Sequence, residues 1–95
     1  MRENQKTVGD WARATFGPAT PLRIAVRLNE EVAELLTKVA QGRQGVEEEA
    51  ADVLVVLYHF AETFGMNLQE EVNRKMAINR QRKWKLDGTG TGQHV

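Results

Sequence analysis

Ninety-five residues are enough for one small domain with a modest core, so association with further copies of the chain is the expected source of additional stability. Thirteen basic and thirteen acidic side chains cancel, which excludes a global electrostatic pull toward nucleic acid or membranes. The absence of cysteine rules out disulfides and thiolate chemistry, and a polar start with no apolar run near the roughly 20 residues of a membrane span predicts a soluble, cytoplasmic protein.

The chain reads as helices separated by glycine and proline. Thr7 is placed to cap a short helix that carries Trp11 and Phe16 and stops at Gly17. The breaker-rich Gly17-Pro18-Ala19-Thr20-Pro21 follows, and Thr20 with Pro21 makes an N-cap and first-turn pair for a second helix running to about Gln41. Leu28, Val32, Leu35 and Val39 form its expected apolar stripe. Glu31 and Glu34 flank that stripe, and Glu30 lies farther round.

Gln41-Gly42-Arg43-Gln44-Gly45 is long enough only for a tight turn, so the next helix, from about Val46 to Phe64, folds back as the second arm of an antiparallel hairpin. Its β-branched centre would suit a strand locally. Helix is preferred because Glu47, Glu48, Glu49, Ala50 and Ala51 lead into it without a break. The helix is apolar nearly all round and needs cover from its hairpin partner and from another element, a second subunit included. Gly65 ends it. Asn67 with Glu70 three residues on opens a last helix, from about Leu68 to Trp84, with Leu68, Val72 and Met76 on its apolar face. The glycine-rich stretch after Leu86 is expected to be a mobile tail. The expected architecture is all-α: an arm over about 1–19, a helical core over 20–86 that carries the hairpin, and a tail over 87–95, forming a bundle on oligomerisation.

Within the hairpin, two acidic signatures stand out. Glu31-x-x-Glu34, preceded by Glu30, and Glu49-x-x-Asp52 are separated by 14 residues. Residues three apart project from neighbouring points on one helix face. Four facing carboxylates repel unless a cation lies between them, and hard divalent ions such as Mg²⁺ bridge carboxylates to phosphates. A single such signature is common on solvated helices; the paired arrangement in apolar helices is what gives it weight. Charge is also segregated along the chain. Seven of the thirteen acids fall between Glu30 and Asp52, whereas Arg74, Lys75, Arg80, Arg82, Lys83 and Lys85 lie in a segment with no acid from Val72 to Leu86.

This combination resembles the MazG-like, all-α nucleoside triphosphate pyrophosphohydrolases. The segments Asp10-Trp11-Ala12-Arg13-Ala14-Thr15-Phe16-Gly17 and Lys75-Met76-Ala77-Ile78-Asn79-Arg80-Gln81-Arg82-Lys83-Trp84 are similar to that family's arm and basic segment, and Asp87-Gly88-Thr89-Gly90 with His94 is similar to the dATP/dGTP diphosphohydrolase branch. The resemblance implies Mg²⁺-dependent hydrolysis, with Mn²⁺ as a substitute, of a nucleoside triphosphate to a monophosphate and pyrophosphate, leaning to deoxynucleotides. It implies Glu31, Glu34, Glu49 and Asp52 as metal ligands, with Glu30 positioning or deprotonating the attacking water. Lys75 and Asn79 are the leading substrate contacts, Arg82 and Trp11 lesser ones. Glu47 and Glu48 read as residues favouring a helix N-terminus. His59 reads as a core or interface histidine, and Trp84 as an anchor or a stacking surface. A homodimer or dimer of dimers is expected, without membrane or nucleic-acid partners. Two alternatives stand beside this: phosphoribosyl-ATP pyrophosphohydrolase, which shares the acidic signatures, and a non-enzymatic helical dimerisation or nucleic-acid-binding module using the Arg74 to Lys85 run.

Overall fold

The computed structural model describes residues 2–95. Four helices follow in order, α1 (Gln5–Phe16), α2 (Pro21–Ala40), α3 (Val46–Phe64) and α4 (Leu68–Gln81), and a short ribbon of β1 (Trp84–Leu86) and β2 (Gly92–His94) closes the chain. The all-α hairpin with flanking helices is therefore present. The centre is α3, against which both α2 and α1 pack.

Local signals explain most boundaries. Thr20 accepts from the Arg23 amide and Pro21 occupies the first turn of α2, as the pair predicts. Asn67 accepts from the Glu70 amide at the start of α4. Gly65 ends α3 with φ of 87°, a left-handed conformation open to glycine, and its amide closes on the Ala61 carbonyl. At the start of α1 the cap is Asn4 and not Thr7: Asn4 accepts from the Thr7 amide while the Thr7 hydroxyl serves the Asn4 amide, a reciprocal capping box.

Helix α1 is held by two devices. Gly9 lies against α3 so closely that a Cβ there would meet the Glu62 Cβ and Cγ. The Gln5 amide donates to Glu62 Oε1 (2.8 Å) and the Met66 carbonyl (2.6 Å), and its oxygen accepts from the Leu68 amide (2.8 Å). One side chain thus joins α1, the end of α3 and the start of α4.

Three further expectations change. The buried face of α2 is centred on Ile24 and Glu31, each 3% exposed, with Leu28 and Leu35 half-buried beside them. Val32 and Val39 stand 46% and 56% exposed, so Glu31 sits inside the packed face and not at its flank. The last helix stops at Gln81, three residues before Trp84, because Arg82 turns to extended backbone and the Trp84 indole donates to the Asn79 carbonyl (2.9 Å). The closing segment is a paired ribbon, with Trp84 opposite His94, Lys85 opposite Gln93 and Leu86 opposite Gly92. Positive φ at Gly88 and Gly90 lets the connecting loop turn, and Asp87 Oδ1 accepts from the Thr89 amide and hydroxyl.

Helix α4 buries no side chain among the described residues and packs extensively on no other helix. Val72 and Met76 of its expected apolar face remain 48% and 38% exposed. Where it stands away from the hairpin, an open groove of about 860 Å³ is lined by Leu54, Tyr58, Leu68 and Val72 among others. Among the described residues no helix is long and apolar enough to cross a membrane.

Candidate metal centre and adjoining cavity

The turn between Ala40 and Val46 sets α2 and α3 side by side and brings the two acidic signatures together. Glu31, Glu49 and Asp52 each offer a carboxylate oxygen, and these oxygens all lie within 4.8 Å of one another. Glu31 and Glu49 are each 3% exposed, in contrast to the usual solvated state of glutamate, and Asp52 opens to solvent. Glu34, one turn after Glu31, is exposed and adds negative charge beside both.

Two basic side chains bracket the buried pair. Arg27 Nη2 lies 2.5 Å from Glu31 Oε1, and Lys38 Nζ reaches across the hairpin to within 3.3 Å of Glu49 Oε2. The other Glu49 oxygen, Oε1, is buried with no hydrogen-bond partner. The hydrogen bond to Glu49, followed by burial, pushes the Glu31 carboxyl up to about 7, and the same contact holds Glu49 below the ordinary carboxylate range. The two neighbouring carboxyls thus resist ionising together, a repulsion that a cation between them would relieve. A buried, unpartnered carboxylate oxygen within a set of hard oxygen donors fits Mg²⁺ or Mn²⁺ and offers nothing to a soft metal.

The carboxylates border a cavity of about 420 Å³ between α1, α2 and α3. Trp11 and Phe16 form an edge-to-face pair with ring centroids 5.3 Å apart, and Phe16 lies 6.5 Å from the His59 ring. These three rings, together with Arg23 and Arg27, line the space beside Glu31 and Asp52. His59 is half-buried in that wall, and burial lowers its pKa. It is not a member of the carboxylate group.

The remaining sequence candidates lie elsewhere in the chain. Glu30 stays exposed and pairs with Arg27 Nη1 at 3.3 Å. Lys75 is exposed on α4, and Asn79 spans its carbonyl bond to Trp84 and a contact to Met76 Sδ. Arg82 lies 3.5 Å from His94 Nδ1 at the base of the ribbon. None of these residues lines the cavity beside Glu31. Conversely, sequence reading passed over Phe16 and Arg23 as cavity residues and Lys38 as a partner of Glu49. Lys38 was open to detection, since it lies two turns from Glu31 on the same helix face, an isolated base on the packed side.

Residues 26–92 match the MazG-like family, and the chain belongs to it. It is 36% identical over 91 residues to a dATP/dGTP diphosphohydrolase of Salmonella phage PMBT28, covering 96% of this chain and 30% of that protein. It is 30% identical over 95 residues to a dATP/dGTP diphosphohydrolase of Cyanophage S-2L, covering 100% of this chain and 88% of that protein. The chain thus spans less than a third of one curated relative and nearly the whole of the other. Among solved structures, the Cyanophage S-2L MazG-like pyrophosphohydrolase bound to dGDP and three catalytic Mn²⁺ ions per active site superposes with a TM-score of 0.78 at 27% identity, over 96% of this chain and 92% of that one. Both curated relatives belong to the branch that the closing segment resembles.

Proposed function

We propose that the chain is a divalent-metal-dependent nucleoside triphosphate pyrophosphohydrolase that cleaves between the α and β phosphates, yielding a monophosphate and pyrophosphate, with deoxynucleotides preferred. The observation that carries this reading is the convergence of Glu31, Glu49 and Asp52 around a buried, unpartnered oxygen beside an aromatic-walled cavity. In this reading Glu31, Glu49 and Asp52 hold the metal with Glu34 at the rim. Mg²⁺, or Mn²⁺ in its place, supplies positive charge for the phosphate oxygens and acidifies a water for attack on phosphorus.

The chain's own residues do the rest. Trp11, Phe16 and His59 enclose the base, while Arg23 and Arg27 meet negative charge on the nucleotide. Glu30 is freed to position the water when Arg27 turns toward substrate. The relatives named for dATP and dGTP, and the neighbour bound to dGDP, make purine deoxynucleotides the first substrates to try. Lys75, Asn79 and Arg82 act on a site completed by a second copy, because α4 leaves Val72 and Met76 uncovered and stands off its own hairpin. A homodimer or dimer of dimers covers that face, and nucleotide chemistry of this kind belongs in the cytoplasm.

The test is a screen of all NTPs, dNTPs and phosphoribosyl-ATP for pyrophosphate release with Mg²⁺, run on the natural sequence and on Glu49→Gln. Turnover of dATP and dGTP that falls by more than about 100-fold in Glu49→Gln, with the helical circular dichroism unchanged, is expected. Turnover of phosphoribosyl-ATP alone, or full activity in Glu49→Gln, refutes the reading. Salt-sensitive nucleic-acid binding that needs no divalent ion, without nucleotide turnover, points instead to a binding module.

A further inference from the structure

Each buried carboxylate of the centre already has a cation. Arg27 holds Glu31 along α2, whereas Lys38 crosses from α2 to α3 to reach Glu49. Lys38 is half-buried, and its ammonium also lies against Gly45 at the start of α3, 3.8 Å from where a Cβ would stand. In the metal-free protein this contact is needed, because Glu49 is almost fully buried and an unpaired buried charge is strongly destabilising.

The same ammonium has the opposite effect once a divalent ion shares Glu49. It becomes a like charge beside that ion and competes with it for the carboxylate. Four carboxylates, Glu31, Glu34, Glu49 and Asp52, face two bases, Arg27 and Lys38, so the centre carries roughly the deficit that one divalent ion would fill. Any further ion needs negative charge from outside the protein, and nucleotide phosphates provide it.

Resting on the metal-site reading above, we infer that Lys38 is a resident counter-ion that stabilises the metal-free hairpin and holds down its affinity for divalent cations, so that full metal loading waits for the substrate phosphates. Lys38 is thus a positioning and tuning residue that acts through Glu49. Its two effects have opposite signs: removing it weakens the fold and strengthens metal binding. An ordinary structural ion pair would show only the first. A clamp that merely orients Glu49 would show weaker metal binding on its loss.

The experiment titrates Mn²⁺ into the full chain and follows the free-ion signal by electron paramagnetic resonance, with and without a non-hydrolysable dGTP analogue. Lys38→Met is expected to bind Mn²⁺ about ten-fold tighter than the natural sequence without nucleotide, an estimate for a like charge in a partly hydrated setting. Its metal-free melting temperature is expected to fall. Lys38→Gln keeps a hydrogen-bond donor but not the charge and should tighten binding equally, so it serves if Lys38→Met does not fold. Lys38→Arg should restore the original affinity. With the analogue present the gap between variants should narrow. Unchanged or weaker Mn²⁺ binding in both neutral variants overturns the inference while leaving the metal site standing. Absence of Mn²⁺ binding by the natural sequence, with or without analogue, sinks both.

Discussion

The α2–α3 hairpin and the α4 arm invert the usual relation between polarity and burial. In the hairpin two glutamates are among the most buried side chains, while on α4 valine and methionine stand in solvent. Charge is buried where it is paired with Arg27 and Lys38, and so costs less than the residue types suggest. Apolar surface is exposed where the chain supplies nothing to cover it. In the function proposed above, the first region takes up a cation and the second meets a partner surface.

The largest effect that sharpens this contrast comes from Glu31→Gln. Nucleotide turnover should fall by more than about 100-fold, while the metal-free fold becomes more stable at neutral pH because one repelling charge is gone. The sign follows from proton binding. Glu31 is held near 7 in the native protein, against an unfolded value near 4.5, so the native state binds more protons between those values. Its contribution to stability is fully present below about pH 4.5 and is lost as pH rises through about 7. Calorimetry of the chelator-treated protein should show the melting temperature dropping by ~5 °C between about pH 5 and pH 8. Glu31→Gln should flatten that slope, and a slope surviving in the variant would assign it to another group.

A smaller effect is expected where α1 meets α3. Gly9→Ala forces a methyl into the space of the Glu62 side chain and should cost about 1–3 kcal/mol in urea unfolding. Because Trp11 and Phe16 ride on the same helix, nucleotide affinity should weaken with it. Smallest in stability is Lys75→Ala on the open arm, within about 0.5 kcal/mol of the natural sequence. Its expected signature is a several-fold rise in KM at high protein concentration, and unchanged kinetics would separate α4 from the nucleotide site.

Much of the hairpin was legible in the sequence. Thr20-Pro21, the short glycine turn, Gly65 and Asn67 set helix ends through local backbone chemistry that needs no tertiary contact to act. The paired spacing of Glu31, Glu34, Glu49 and Asp52 was equally readable, and once the hairpin is granted helix geometry brings Glu31, Glu49 and Asp52 together and leaves Glu34 outside that group. Which face of α2 is buried was not. Apolar periodicity selects Val32 and Val39, but it has no means of counting Glu31 as a core residue, since its burial depends on its pairing with Arg27 and on Glu49 from another helix. The ribbon escaped for a different reason. Strands of three residues carry almost no periodic signal, and the pairing of Trp84 with His94 spans a loop whose glycines read as disorder. Lys38 left one signal, its place two turns after Glu31 on the same face, but a lone lysine near a helix end also has an ordinary explanation in the helix dipole.

The closing ribbon has a consequence for how the molecule behaves in concentrated solution. Two strands leave two outer edges, each offering unpaired amides and carbonyls to any neighbouring strand. Lys85 stands between Trp84 and Leu86, and Lys83 immediately precedes them, so a copy stacking along that edge would bring ammonium groups together before it gained hydrogen bonds. Lysine on an edge strand opposes such stacking in general, and Lys83 and Lys85 place that charge on this one.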